Sequence, residues 1–100
     1  MVDTVISVSR EQLAEFCRRH NIKRLALFGS ALRADFRDTS DLDILVEFKL
    51  GHEPGLAFFQ IEAELAALFG RDVDLNTPDF LSPYFRDEVL SEASDLYVAP

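Results

Sequence analysis

The sequence predicts an α/β (α+β) fold in which helices flank a small mixed β-sheet. Short apolar runs typical of strands alternate along the chain with longer amphipathic stretches typical of helices. Because 100 residues are about the size of one ordinary domain, we expect residues 1–100 to form a single domain. Hydrophobic residues make up 48% of the sequence, and this is enough apolar surface for a small core.

Capping residues and turn residues place the elements along the chain. Ser9 with Gln12 has the pattern of a capping box, Asn21 and Gly70 suit left-handed helix ends, and Ser82 precedes a proline that favours a helix start. In chain order we expect a strand or arm at 1–8, helices at 10–20, 31–37, 56–69 and 82–93, and strands at 24–28, 42–48, 72–76 and 96–98.

Helical spacing also predicts which side of each helix is buried. The predicted stripes are Leu56, Phe59, Ala63, Ala66 and Leu68 or Phe69 in the 56–69 helix, and Phe85, Val89 and Ala93 in the 82–93 helix. The single cysteine, Cys17, falls on an apolar helix position, so we expect a small core residue, and no intrachain disulfide is possible.

The charge of −8, from eighteen acidic and ten basic residues, restricts the class of partner. A protein that binds nucleic acid directly should carry a basic face, so no direct nucleic-acid binding is expected. A basic protein partner or a cation such as Mg²⁺ suits the charge, which also suits ordinary solubility. No signal-peptide pattern and no run of about 18 apolar residues is present, so a cytoplasmic location without membrane contact is the default expectation.

The most informative stretch is 25–46, in which a predicted strand leads into a Gly-Ser turn. Gly29 has no Cβ, so its backbone can turn sharply and lie close to a ligand. Ser30 opens the short helix predicted at 31–37, and the free N–H groups of a helix start attract anions. The turn therefore predicts a cradle for phosphate groups.

Two carboxylates follow on the next predicted strand. Asp41 and Asp43 are two residues apart, so both project from one face while Leu42 and Ile44 enter the core. Their Cβ atoms would be about 6.5–7 Å apart, and carboxylates at this spacing can share hard divalent cations. A phosphate cradle followed by paired carboxylates indicates magnesium-dependent chemistry on a polyphosphate.

A third carboxylate, Asp74, would join this pair if the strand at 72–76 lies beside the strand at 42–48. Three ionised carboxylates would repel one another by roughly 3 kcal/mol per pair at about 5 Å, unless cations are bound there. Two Mg²⁺ ions would neutralise the cluster, and Asp74 could accept the proton of an attacking hydroxyl. The alternative is that Asp74 is an ordinary surface residue, like its neighbour Asp72.

Together these residues resemble the signature of the nucleotidyltransferase superfamily related to DNA polymerase β. The matching parts are Gly29-Ser30, ten intervening residues, Asp41-Leu42-Asp43, a later Val73-Asp74-Leu75, and Arg33 just after the Gly-Ser turn. The chain looks like the minimal members of that superfamily, the MNT proteins, and the segment PYFRDEVLSEASDLY resembles their closing helix and terminal Leu-Tyr. It departs from them in EASDLY, where they often have a small or glycine-containing turn.

The resemblance implies the polymerase β-like nucleotidyltransferase fold and transfer of AMP from ATP with release of pyrophosphate. By this resemblance Asp41, Asp43 and Asp74 are the catalytic residues and the ligands of two Mg²⁺ ions. Gly29 and Ser30 would hold the triphosphate, and Arg33 would either neutralise the phosphates or be a solvated helix residue. Many minimal members are antitoxins of HEPN/MNT toxin–antitoxin pairs, and some transfer AMP to a tyrosine of the HEPN-type toxin.

Three functions are therefore open. The first is an adenylyltransferase antitoxin that modifies a HEPN-type toxin within a hetero-oligomer. The second is a non-catalytic antitoxin that neutralises the toxin by complex formation, which Phe80, Tyr84 and Phe85 could favour if they are exposed. The third is nucleotidyl transfer to a small-molecule acceptor, whereas the negative charge disfavours an RNA end.

Overall fold

The computed structural model describes residues 8–29, 41–84 and 86–100. The helices are α1 (Arg10–Arg19), α2 (Phe58–Phe69) and α3 (Arg86–Glu92), and the strands are β1 (Ile22–Phe28), β2 (Leu42–Phe48), β3 (Val73–Asn76) and β4 (Ser94–Val98). Single 3₁₀ turns stand at Gly55–Ala57 and Pro78–Phe80. The parts of the predictions that fall on residues 1–7, the 31–37 helix, Ser30, Arg33 and Phe85 lie outside the described residues.

The four strands form one mixed sheet in the order β3-β2-β1-β4. β1 is antiparallel to both β2 and β4, whereas β2 and β3 are parallel. Parallel neighbours need a crossover connection, and α2 provides it between β2 and β3. The predicted mixed sheet with flanking helices is confirmed, and β3 lies beside β2, which is the condition under which Asp74 would join the other carboxylates.

The two faces of the sheet are covered by different helices. On one face, α1 and α2 pack on alternate residues of the central strands, including Leu25, Ile44 and Val46. On the other face a smaller cluster around Ala26 and Leu45 packs against α3 and Leu81. Successive side chains of a strand point to opposite faces, so each central strand is apolar on both sides where it is covered.

Most of the predicted first and last residues of the helices and strands agree with the structure to within two residues. The Ser9–Gln12 capping box is present, and Asn21 and Gly70 have positive φ values of 56° and 71°. β2 has the predicted bounds, while β1 begins at Ile22, two residues early, because Ile22 pairs with Phe48 of β2. Among the described residues, no helix is long and apolar enough to cross a membrane.

The predicted buried side of α2 is wrong. The buried residues are Phe58, Ile61, Leu65 and Phe69, so Phe69 alone of the predicted stripe is buried. Leu56 and Phe59 are instead 89% and 67% exposed. The helix carries apolar residues around much of its circumference, and packing against the sheet selects the side with the larger set at i, i+3, i+7 and i+11 spacing.

The last helix starts later than predicted, at Arg86 instead of residue 82. The Ser82 hydroxyl accepts a hydrogen bond from the Tyr84 N–H at 3.3 Å, which forms a local turn at this point. Val89 and Ala93 pack against the smaller cluster as predicted. The terminal strand is longer than predicted, because it pairs with β1 from Ser94 onward.

The buried Cys17 leads to a prediction about stability at high pH. Burial raises the pKa of its thiol from 9.0 to about 12, although the nearby Arg18 lowers it. The unfolded chain loses this proton near pH 9 and the folded chain does not, so the contribution is full below pH 9 and is lost as the pH rises toward 12. Above pH 9, urea titrations should show the unfolding free energy of the wild type falling relative to Cys17→Ala, by up to about 1.4 kcal/mol per pH unit. Parallel curves for the two proteins would contradict this.

Candidate active site

Two of the predicted carboxylates face each other across the parallel strands β2 and β3. Asp43 is the register partner of Asp74, and parallel neighbours are about 4.8 Å apart. The residues on either side of Asp43, Leu42 and Ile44, are fully buried on the face covered by α1 and α2. Asp43 and Asp74 therefore lie side by side on the opposite face of the sheet, and we call them the acidic pair.

Gly29 stands directly beside the acidic pair. It follows the last residue of β1, Phe28, whose partner across the antiparallel ladder is Asp43. Its φ is +65°, and a Cβ on Gly29 would lie 2.5 Å from Oδ2 of Asp43. A side chain at this position would occupy the space of the carboxylate, so the glycine is required both by its backbone conformation and by this close approach.

The other predicted site residues are Asp41, Ser30 and Arg33, and of these the structure describes Asp41. Asp41 is exposed and precedes β2, two residues from Asp43. Ser30 and Arg33 lie outside the described residues, so their assigned roles stay predictions. Within 8–29, 41–84 and 86–100, no group of three or more His, Cys, Asp and Glu side chains is close enough to hold a metal ion. The structure thus brings Asp43 and Asp74 together beside Gly29 and leaves Asp41 at the edge.

The chemistry of this site suits a hard cation and an anion together. Two carboxylates on neighbouring strands repel each other, and a divalent cation bound between them would relieve that repulsion. Asp74 is exposed and Asp43 is half-buried, so the oxygen donors can be reached from solvent. Cys17 and His20 belong to α1 or its cap, on the other side of the sheet, so within the described residues the acidic pair has no soft ligand nearby. These residues fit Mg²⁺.

Glu62 is a supporting residue that sequence reasoning missed. Its Oε2 accepts a hydrogen bond of 2.8 Å from the N–H of Leu75, the residue after Asp74. β3 is an edge strand, and edge strands leave alternate N–H groups without a strand partner. Glu62 therefore holds the edge strand that carries Asp74 against α2. Nothing in its sequence context distinguishes it from the other acids of the helix.

Removing this contact should weaken the edge strand. We expect Glu62→Ala to lower the free energy of unfolding by about 1–2 kcal/mol, because the partly buried Leu75 N–H loses its acceptor. Glu62→Gln, which keeps an oxygen acceptor, should lose less than half of that. Glu15→Ala, the same change at an exposed position of α1, serves as the control and should change stability by less than about 0.5 kcal/mol. Equal values for Glu62→Ala and Glu15→Ala in urea titrations would show that the contact contributes nothing.

A mixed sheet that holds a glycine turn against an acidic pair has the chemistry to suit phosphate groups and a hard cation. The sequence model of the nucleotidyltransferase domain family matches residues 9–96. The chain belongs to this family, and it is similar in size and fold to its minimal members.

Two relatives cover nearly the whole chain. A candidate protein adenylyltransferase from Methanocaldococcus jannaschii is 34% identical over 91 residues, which are 91% of this chain and 97% of the relative. The protein adenylyltransferase MntA of Thermococcus cleftensis is 32% identical over 92 residues, which are 91% of this chain and 88% of MntA. The chain is therefore similar along its length to proteins named for adenylyl transfer.

Solved structures share the fold. A candidate minimal nucleotidyltransferase is 38% identical with a TM-score of 0.69, covering 84% of this chain and 85% of that chain. A toxin–antitoxin structure with AMP-PNP is 21% identical with a TM-score of 0.70, covering 92% and 75%. A complex of a tri-AMPylated Shewanella oneidensis HEPN toxin with its MNT antitoxin is 21% identical with a TM-score of 0.63, covering 99% and 74%. At 21% identity the last two show likeness of fold alone.

Proposed function

We propose that this protein is a Mg²⁺-dependent adenylyltransferase that transfers AMP from ATP to a tyrosine hydroxyl of a partner HEPN-type toxin and so acts as its antitoxin. The observation that carries the proposal is the pairing of Asp43 with Asp74 beside Gly29. The family and the two relatives named as adenylyltransferases support the chemistry. A cytoplasmic location would supply both ATP and Mg²⁺.

Each residue of the site has a distinct part in this proposal. Asp41, Asp43 and Asp74 are the residues that would hold Mg²⁺, which supplies Lewis-acid stabilisation of charge on the phosphate oxygens. The open backbone at Gly29, with Ser30 and Arg33 after it, would hold the triphosphate. Asp74, the more exposed member of the acidic pair, accepts the proton of the attacking hydroxyl. The new bond joins the tyrosine oxygen to the α-phosphorus, and pyrophosphate leaves.

The proposed partner is supported by likeness and by charge. Solved complexes of the same fold pair an MNT antitoxin with a HEPN toxin, and one of those toxins is AMPylated. The net charge of −8 favours association with a basic protein surface. We therefore expect a hetero-oligomer of this chain with its toxin, in which the toxin supplies the acceptor.

The direct test follows the label from two differently labelled ATP molecules. The chain is incubated with a HEPN-type toxin, Mg²⁺, and ATP labelled at either the α- or the γ-phosphate. Adenylyl transfer labels the toxin from α-labelled ATP only, EDTA abolishes the signal, and peptide mass spectrometry places AMP on a tyrosine. No transfer from α-labelled ATP by protein with a native circular dichroism spectrum would overturn the proposal, and transfer from γ-labelled ATP would indicate a kinase.

A second assay separates modification of the toxin from simple neutralisation by binding. Asp41→Asn combined with Asp43→Asn removes two negative charges while keeping the side-chain shapes. If catalysis is required, the double variant still forms the complex but no longer relieves toxin activity. Full neutralisation at unchanged stoichiometry would show that complex formation is sufficient.

A further inference from the structure

A cavity lies at the end of the sheet opposite to the acidic pair. Its volume is about 430 Å³, which is within the usual range for pockets that bind small groups. It is open to solvent and is lined by the last residues of β2, the turn before α2 and the 3₁₀ turn after β3. The apolar wall consists of Val46, Phe48, Pro54, Phe58 and Pro78.

Among the residues that the structure describes, the charged residues that line this cavity are all acidic. Glu47 is already engaged by Arg24, at 3.4 Å. Glu53 and Asp79 come from two different segments, and neither has a hydrogen bond or ion pair to the described residues. Lys49 and His52 are exposed and do not line the cavity, and the guanidinium of Arg86, which does not line it either, donates to the carbonyl of Pro78 at 2.7 Å. An apolar wall with uncompensated carboxylates suits a cation that carries an apolar stem.

Exposed apolar side chains lie close along the chain to residues that line the cavity. Of the five large hydrophobic side chains that are strongly exposed within the described residues, Leu50, Leu56 and Phe59 fall within ten residues of each other. The Phe59 ring packs edge-on against the ring of Phe58, at 5.9 Å between centroids, and Phe58 forms part of the cavity wall. The apolar surface therefore continues from the cavity onto the outside of α2, as is common where another protein binds.

This surface is well separated from the acidic pair. Of the lining residues on β2, Val46 is three and Phe48 five residues beyond Asp43, which correspond to about 10 and 16 Å along an extended strand. β3 runs parallel to β2, so Thr77 and Asp79 lie at the same end as Phe48, away from Asp74. Substitutions at the cavity should therefore leave the chemistry at the acidic pair unchanged.

We propose that the cavity and the adjoining apolar patch form the docking surface for a basic segment of a partner protein, with an arginine side chain entering the cavity. The stem of the arginine would contact the apolar wall, and its guanidinium would donate to Glu53 and Asp79. Leu56 and Phe59 would pack on apolar residues of the same segment. The identity of the partner rests on the proposed function, whereas the chemistry of the segment does not.

A peptide titration tests the chemistry without the toxin. Capped leucine–arginine–leucine tripeptide is added to ¹⁵N-labelled protein, and amide shifts are followed by NMR. We expect saturable shifts at residues 46–48, 53–58 and 77–79, which Glu53→Gln combined with Asp79→Asn reduces about fivefold or more in affinity. The same peptide with glutamate in place of arginine should not bind. Absence of saturable shifts at the cavity, or equal binding of the two peptides, overturns the proposal.

Calorimetry with the HEPN-type toxin tests the partner. Leu56→Ser combined with Phe59→Ser should weaken the complex about tenfold or more, because both side chains are solvent-exposed anchors of the patch. The control for Glu53→Gln with Asp79→Asn is Asp87→Asn with Glu88→Gln, which makes an equal charge change at the exposed start of α3. This control should not change the affinity for the toxin. If neither Leu56→Ser with Phe59→Ser nor Glu53→Gln with Asp79→Asn changes the affinity for the toxin, the proposed docking surface is wrong. Peptide binding at the cavity without any toxin binding overturns the proposed partner and leaves the docking surface standing.

Discussion

Asp74→Asn is expected to lower the rate of AMP transfer by about a thousandfold or more, while the protein stays folded. Asn keeps the shape of the side chain but removes the negative charge that faces Asp43 and, with it, the proposed acceptor of the hydroxyl proton. Asp74 is exposed and its backbone pairing is unaffected by the change, so stability should fall little. Single-turnover transfer from α-labelled ATP at saturating Mg²⁺ measures the loss.

The neighbouring acid Asp72 provides the matched control for this experiment. It is also exposed and precedes β3, but its carbonyl, not its carboxylate, makes the contact to β2, through the N–H of Leu42 at 2.9 Å. Asp72→Asn should therefore retain transfer within about threefold of the wild type. Comparable rates for Asp74→Asn and Asp72→Asn would show that the acidic pair is not the catalytic centre.

Gly29→Ala should impair both stability and transfer. The new Cβ would lie 2.5 Å from Oδ2 of Asp43, and the backbone has φ +65°, a region that costs a residue with a Cβ about 1–2 kcal/mol. The Asp43 carboxylate must move to relieve the collision. A displacement of about 1 Å at a reacting centre can cost a hundredfold in rate, so we expect at least that loss of transfer.

Gly51→Ala separates the two causes. Gly51 has φ +82°, so an alanine there has comparable backbone strain, but nothing lies within 4 Å of its Cβ. Urea unfolding should show a loss of stability in both variants, at least as large in Gly29→Ala because of the added collision, while transfer should fall only in Gly29→Ala. If Gly51→Ala were equally inactive at temperatures where it is folded, the contact between residue 29 and Asp43 would not be the cause.

Local patterns predicted much of the framework. The bounds of β2 follow from a mostly apolar run that ends at a loop containing glycine and proline, and the α1 capping box follows from Ser9 and Gln12, because such signals act over only a few residues. The predicted fold class, which follows from the order of helices and strands along the chain, is also confirmed. The roles assigned to Ser30 and Arg33, and the metal set of three aspartates, stay predictions.

Features that depend on contacts between distant segments could not be predicted from local sequence patterns. The buried side of α2 was predicted wrongly, since Phe59 and Phe58 are both apolar and only packing on the sheet decides between them. The Glu62 contact to Leu75 and the cavity beside Phe58 each join segments that are separated along the chain. No periodicity within one segment reports such contacts.

The amino-acid sequence by itself determined the glycine turn and the spacing of Asp41 and Asp43. It also determined the alternation that puts Asp74 and Leu75 on opposite faces of their strand. Each of these depends on neighbouring residues alone. Tertiary structure decided that Asp74, and not Asp72, lies across from Asp43, and that the Gly29 backbone approaches that carboxylate. The reason is strand register: Asp72 and Asp74 project from the same face, so only the register of β3 against β2 decides which of them lies across from Asp43, and that register is set by the packing of the whole sheet on its helices.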